Sequence, residues 1–145
     1  MTKSNIGIIL LIGLLSGCGD QDKETEREKA IRLLTNDSKK EWRVNQNFTD
    51  GIEQTISFCD SSYILSVRSD YSWNETFSYL SCYRSTDGIW SLNDENNVIN
   101  ITYISHITGK ESENLYEIVE LSEHYFAYEY VVNNDLRRVR LDHSK

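Results

Sequence analysis

Cys18 is the cysteine whose chemistry the sequence predicts most clearly, because residues typical of a signal-peptidase site precede it. Lys3 supplies a positive charge, residues 6–15 form an apolar run, and Ser16 and Gly17 are small residues of the kind that a signal peptidase site needs. The apolar run is far shorter than the roughly 20 residues that cross a bilayer as a helix. The segment is therefore predicted to be a cleaved export signal.

Residues 15–18, which read Leu-Ser-Gly-Cys, resemble the processing motif of bacterial lipoprotein signals. The resemblance implies that residues 1–17 are removed and that Cys18 carries a diacylglycerol thioether and an N-linked acyl chain such as palmitate. More than one acyl chain gives stable anchoring to a membrane. Because Gly19 rather than an aspartate follows the cysteine, the resemblance also implies the outer membrane, either at its periplasmic face or at the cell surface.

Two cysteines remain once Cys18 is assigned to lipid, and they are Cys59 and Cys82. An even pair in an exported, oxidising compartment is typical of a disulfide, so we expect these two residues to be bonded to each other. Closing a loop of this length stabilises a small domain by about 3 kcal/mol in the chain-entropy model. A free reactive thiol is the alternative.

Aromatic side chains alternate along two segments in a way that places several on one face of a strand. These faces either line a pocket for a small ligand or fill the interior as a packed core. Glu75 shares the first face, where it is either a cavity carboxylate or a sign that the face reaches solvent at a rim. The candidate ligand-lining residues are Tyr71, Trp73, Phe77, Tyr79, Phe126, Tyr128 and Tyr130.

Other chemistries lack their usual residue patterns. His106, His124 and His143 do not have metal-ligand spacing, no Gly-x-Ser-x-Gly nucleophile motif occurs, and the glycines form no phosphate-binding loop. We therefore expect no enzyme activity, no bound metal and no cofactor. The chain has 23 Asp and Glu against 15 Lys and Arg, a net charge of −8, so we expect no nucleic-acid partner.

The elements that must position these residues are mostly short strands. Residues 19–29 are a polar spacer, Ala30, Ile31, Leu33 and Leu34 give a short helix an apolar face, and Asn36 with Asp37 ends it. From residue 39 the apolar period is two. The predicted strands are 41–46, 52–58, 63–68, 71–83, 88–92, 98–106, 114–121, 125–132 and 136–142.

Short turns, among them Asp87-Gly88, separate these strands and favour antiparallel neighbours. The sequence therefore predicts an all-β, up-and-down meander of about eight strands, closed or nearly closed into a barrel, after a short N-terminal helix. Arg137, Arg138 and Arg140 do not share one strand face, and we expect them to be surface charges that protect an exposed strand.

A second resemblance covers the chain from about residue 33 onwards and is to the lipocalin-like domain of small bacterial lipoproteins. It implies a β-barrel over residues 39–145, preceded by a tether and helix over residues 18–38. The family usually has an Asp-Gly turn before its central hairpin, where this chain has Ser69, Asp70 and Tyr71. The residues that carry the resemblance are Leu33-Leu34, Trp42, Cys59-Asp60, Ser69-Asp70, Cys82, 88–92, 116–118 and Glu120-Leu121.

Two functions fit these observations. The first is a membrane-anchored envelope lipoprotein whose barrel binds a small apolar or amphipathic ligand against the aromatic faces. The second is a protein-interaction module, such as an immunity or inhibitor lipoprotein against a toxin or hydrolase of the envelope. In that case acidic loops such as residues 93–97 would meet a basic partner protein.

Overall fold

The computed structural model describes residues 23–143, so the predicted signal segment and Cys18 lie outside the described residues. One helix precedes nine strands. The helix α1 is Glu26–Thr35, and the strands are β1 Lys39–Thr49, β2 Ile52–Gln54, β3 Tyr63–Arg68, β4 Ser72–Phe77, β5 Arg84–Leu92, β6 Val98–Ile104, β7 Glu111–Leu121, β8 Tyr125–Val132 and β9 Asp135–His143.

Eight of the strands form a closed antiparallel barrel. Each strand from β3 to β8 pairs with the next along the chain, β1 pairs with β3, and β1 also pairs with β9 to close the ring. The additional strand β2 pairs with the last residues of β1, beyond the part of β1 that pairs with β3. The predicted meander of about eight strands after a short helix is confirmed.

Barrel closure corrects one expectation. The strand that carries Arg137, Arg138 and Arg140 was expected to need protection as an exposed strand. β9 is instead hydrogen-bonded to β1 on one side and to β8 on the other. It therefore has no unpaired edge for those charges to protect.

Helix α1 plugs one end of the barrel, which we call the closed end. Thr25 and Glu28 form a reciprocal capping box at its start, and Asn36 ends it in a left-handed conformation. Leu34 is fully buried, and the Trp42 indole donates a hydrogen bond of 3.2 Å to the Leu34 carbonyl oxygen. The apolar face of the helix thus completes the core at this end.

Two predicted boundaries are wrong at the β4–β5 hairpin. Residues 71–83 do not form one strand, because β4 ends at Phe77 and a 3-10 turn, Leu80–Cys82, precedes β5. The predicted turn at Asp87-Gly88 lies inside β5. A Cβ atom at Gly88 would overlap the Trp73 indole and the Thr102 carbonyl oxygen. The glycine is there because an indole packs against the backbone, and no turn forms at it.

The opposite end, which we call the mouth, is surrounded by the longer loops 55–62, 78–83 and 105–110. The predicted disulfide between Cys59 and Cys82 is confirmed, with a Cα–Cα distance of 5.9 Å. It joins the first two of these loops. Within residues 23–143, no helix has the length and apolar character to cross a membrane.

Candidate functional site

A cavity of about 580 Å³ opens at the mouth of the barrel. Alternation along the strands supplies its wall, since inward-facing residues of β1 and of β3 to β9 converge on the same space. On β4 these are Trp73, Glu75 and Phe77, and on β5 they are Arg84 and Thr86. Its volume falls within the range of about 300–1,000 Å³ that is usual for small-molecule sites.

Four tyrosines give the inner wall its character. The ring of Tyr116 lies 4.6 Å from that of Tyr128 and 5.4 Å from that of Tyr130, and the ring of Tyr63 lies 5.1 Å from that of Phe77. Burial raises the pKa of all four tyrosine hydroxyls above their usual range. They are therefore neutral groups that can donate and accept hydrogen bonds.

Glu75 lies among these tyrosines and is a cavity carboxylate, one of its two predicted alternatives. Burial raises the pKa of Glu75, while the nearby Arg84 guanidinium acts in the opposite direction. The Arg84 guanidinium donates to the Glu75 carboxylate at 3.1 Å and stacks over the Phe77 ring at 4.7 Å. The Glu75–Arg84 pair therefore runs from the shielded wall towards solvent.

The floor of the cavity is densely packed. Beneath it, Phe126 is almost fully buried, with its ring 5.7 Å from Trp42 and 5.3 Å from Tyr128. A second hollow beside Phe126 has a volume of only about 10 Å³, no more than one water molecule needs. The aromatic faces were predicted either to line a pocket or to fill the interior. They fill the half of the barrel near the helix and line a cavity in the half near the mouth.

Polar groups surround the mouth. The Arg137 guanidinium donates to the Thr49 hydroxyl at 2.7 Å and to Asp135 at 3.4 Å. Arg138 pairs with Glu129 across the neighbouring strand at 2.7 Å. Arg137 and Arg138 both contribute to the cavity lining. Of the clustered arginines, Arg137 thus lies where an incoming ligand would pass, whereas the Arg138 guanidinium is directed to Glu129, which does not line the cavity.

The predicted ligand-lining residues divide into three groups. Trp73, Phe77, Tyr128 and Tyr130 lie in the cavity wall. Phe126 lies below it, in the packed floor.

Tyr71 and Tyr79 do not line the cavity, because the strand does not extend to either of them. Tyr71 is in the β3–β4 turn with φ of 66°, and its ring packs against Trp90 at the closed end. Tyr79 lies in the loop after β4 and packs against Phe58 at a ring distance of 4.1 Å.

Several wall residues were not predicted. Tyr63 and Tyr116 belong to the tyrosine wall, and Asn47 and Asn114 add amide groups to the lining. The alternation that selected β4 and β8 also operates in β3, where Tyr63, Leu65 and Val67 are buried together. Only the strand order around the barrel shows that these separate faces enclose one space.

Within the described part of the chain, no cluster of three or more His, Cys, Asp or Glu side chains is arranged to hold a metal ion. His106 instead makes a hydrogen bond of 2.9 Å between its Nε2 atom and the Ser85 carbonyl oxygen. This contact places loop 105–110 beside the start of β5.

Among solved structures, the chain is similar to a lipocalin-like protein from Bacteroides uniformis. The TM-score is 0.55 at 15% sequence identity, and the alignment covers 76% of this chain and 97% of that chain. No protein-family model matches the chain, and no curated protein matches it either. The chain has a lipocalin-like fold, a closed eight-stranded antiparallel barrel with one extra strand and a short preceding helix.

Proposed function

We propose that the protein is a membrane-anchored envelope lipoprotein whose barrel binds a small amphipathic ligand. The observation that carries the proposal is the open cavity of about 580 Å³ with rings and polar groups in one wall. Lipocalin-like barrels are suited to binding one small molecule.

The wall favours an amphipathic ligand over a purely apolar one. Trp73, Phe77 and Tyr128 offer ring faces to an apolar body, whereas Asn114 and Thr86 offer hydrogen bonds. Arg84 and Arg137 would meet a polar or anionic group nearer the mouth. A ligand without polar atoms would shield these groups from solvent without supplying hydrogen bonds in its place.

Binding is tested with probes of matched chain length. Decanoate below its micellar concentration and decanol below its solubility limit are titrated calorimetrically, with glucose as a polar control. We expect both amphiphiles to bind, decanoate more tightly, and glucose not to bind. Absence of heat from both amphiphiles would overturn the proposal.

A matched pair of variants locates the bound probe. Thr86 faces the cavity and Ser91 faces outwards on the same strand. Thr86→Phe fills the cavity and should weaken decanoate binding by about ten-fold or more. Ser91→Phe adds the same ring outside and should leave binding unchanged. Circular dichroism of both variants checks that the barrel is folded.

The proposed anchor would attach at the closed end, where helix α1 begins. Arg27, in the first turn of α1, donates to the Leu92 and Asn93 carbonyl oxygens at the closed end. An acylated Cys18 would be linked to this end by residues 19–25, which can span up to about 25 Å when extended, so the barrel could turn its mouth towards the membrane. Metabolic labelling with an alkynyl palmitate tests the anchor, and Cys18→Ser should abolish the label.

Outer-membrane location is tested by fractionation. Gly19→Asp should move the labelled protein to the inner membrane, if sorting reads the residue after the acylated cysteine. A protein partner that recognises acidic loops such as 93–97 stays a prediction, for which a cross-linking experiment in intact cells is the direct measurement.

A further inference from the structure

The mouth of the barrel carries an unusual set of solvent-exposed apolar side chains. Leu80 is 94% exposed and Ile107 is 95% exposed, the two highest values among the large apolar residues described. Phe58 on loop 55–62 and Tyr79 and Tyr83 on loop 78–83 are also exposed. We call these five residues the apolar rim. An exposed apolar cluster next to a ligand opening is typical of an interaction surface.

The rim is held in place, although it is formed by loops. The Cys59–Cys82 disulfide joins loop 55–62 to loop 78–83. The Ser62 hydroxyl accepts a hydrogen bond of 3.3 Å from the Tyr79 amide, and the Ser62 carbonyl oxygen accepts one of 3.2 Å from the Ser78 amide. His106 fixes the third loop to β5 through Ser85. Little conformational entropy would be lost if this surface bound a partner.

Charge is distributed unequally between the two ends of the barrel. The closed-end turns 36–38, 69–71, 93–97 and 122–124 contain five acidic residues and no Lys or Arg. At the mouth, loop 78–83 has no charged residue, and Lys110 offsets Asp60 across the other two rim loops. The turns 50–51 and 133–134 at the same end add one charge, that of Asp50. The protein has a net charge of −8. The mouth is thus the end that can approach an anionic surface with least repulsion.

We propose that the apolar rim docks on the surface of a phospholipid bilayer. Leu80 and Ile107 at loop tips would enter the acyl boundary, and Tyr79 and Tyr83 would lie at headgroup depth, where amphipathic rings are favoured. Such docking opens the cavity directly onto a hydrocarbon phase. An amphipathic ligand then passes between bilayer and barrel without crossing water.

A lipid surface fits these residues better than a folded protein partner. The rim side chains lie on three separate loops around an opening. A hot spot of a protein interface is instead a central patch surrounded by contacts that exclude water. Tips that project singly can enter a fluid bilayer independently. Docking of the rim does not require that the cavity be occupied.

The test places a fluorescent reporter at the rim of the full chain. The chain has three tryptophans, and Trp42, Trp73 and Trp90 are all buried. Leu80→Trp adds an exposed one at the mouth. Ile89→Trp is the matched control, because Ile89 is 62% exposed on the outer wall away from the mouth. Each variant also carries Cys18→Ser, so that no acyl anchor brings the closed end and Ile89 to the bilayer. It is mixed with vesicles of phosphatidylcholine and phosphatidylglycerol, with or without brominated acyl chains.

Docking predicts that brominated lipid quenches the added emission of Leu80→Trp about two-fold and leaves that of Ile89→Trp unchanged. Adding Ile107→Asp to Leu80→Trp should relieve the quenching. Equal quenching of both reporters, or none at Leu80→Trp, would overturn the proposal. The second result would leave the rim to a protein partner. Decanoate calorimetry on the same samples reports cavity binding separately, so failure of docking and failure of ligand binding are distinguishable.

Discussion

At the scale of single residues, Glu75 couples the cavity to pH. Burial raises its pKa in the folded protein above the ordinary value of 4.5. When the pH is below that value, the carboxyl is protonated in both the folded and the unfolded states. Burying it then carries no cost of desolvating a charge. As the pH rises from 4.5 through the raised pKa, the carboxyl ionises more readily in the unfolded state than in the buried site of the folded state. The free energy of unfolding therefore falls.

Glu75→Gln removes this pH-dependent cost. We expect the variant to have a higher urea midpoint than the wild type at pH 7, with the difference shrinking as the pH is lowered to about 4. Arg84, which loses its partner, is largely exposed and can be solvated by water. Glu41→Gln is the control, because the pKa of that carboxyl is lowered by Lys39 and the pH trend should have the opposite sign. A lower midpoint for Glu75→Gln at pH 7 would contradict this account of the cavity.

Gly88 matters through the atom that it lacks. The missing side chain lets the Trp73 indole pack on the β5 backbone next to the Thr102 carbonyl oxygen. Gly88→Ala should destabilise the protein by about 2–3 kcal/mol, because the added methyl group overlaps both. Gly109→Ala is the comparison. Its Cβ would meet nothing, but φ is +65°, so the expected cost is about 1 kcal/mol. Urea unfolding of the two variants measures the difference.

The local sequence could not show whether Gly88 forms a turn or leaves space for a neighbouring side chain. Asp-Gly is a strong turn signal between apolar runs, and the residue that explains the glycine is Trp73 on a different strand. The inward face of Trp73 and Phe77, by contrast, follows from simple alternation. Positions set by local alternation were predictable, and those set by a neighbouring strand were not.

At the scale of elements, the disulfide joins loops 55–62 and 78–83, which are also connected by hydrogen bonds from the Ser78 and Tyr79 amides to Ser62. Cys59→Ser with Cys82→Ser should lower the free energy of unfolding by about 3 kcal/mol, because the closed loop spans a sequence separation of 23 residues. Hydrogen exchange should speed up mainly in loops 55–62 and 78–83. Reducing agent should destabilise the wild type and leave the double variant unchanged. Equal stability of the two proteins would show that the loops are held by their other contacts.

Most elements could be predicted because turns and apolar period agreed. The helix end at Asn36 and the hairpins from β5 onwards follow turn residues and alternation. The β4–β5 connection was missed because loop 78–83 reads Ser-Tyr-Leu-Ser-Cys-Tyr, with no Gly, Asn or Asp. Its reversal depends on a disulfide to another loop. A turn fixed by such a distant constraint leaves no composition signal.

At the scale of the whole molecule, the barrel has two different halves. The half next to α1 is a packed core around Trp42, Leu34 and Phe126. The half near the mouth is an open cavity with polar groups in its wall. The packed half supplies the stability that allows the other half to remain unfilled. Such a division could not be derived from the aromatic pattern alone, because both halves use the same residue types.

Barrel closure should make the molecule unfold as one unit, and the β9 strand tests this. Arg138 is paired with Phe48 of β1 on one side and with Glu129 of β8 on the other. Arg138→Pro removes an amide from a strand that is paired on both sides and should cost about 3 kcal/mol or more. Arg138→Ala loses the exposed ion pair with Glu129 and should cost no more than about 1 kcal/mol.

A second proline variant, placed in a strand outside the ring, shows whether the cost of Arg138→Pro comes from opening the barrel or from placing proline in any strand. Glu53 lies in β2, which is paired with β1 alone among the described strands and is not part of the ring. Glu53→Pro should therefore cost about 1 kcal/mol. Hydrogen exchange of Arg138→Pro should accelerate in all eight barrel strands together, because opening one seam turns a closed sheet into an open one with two free edges. Acceleration confined to β8, β9 and β1 would show that the remaining strands are stable without closure.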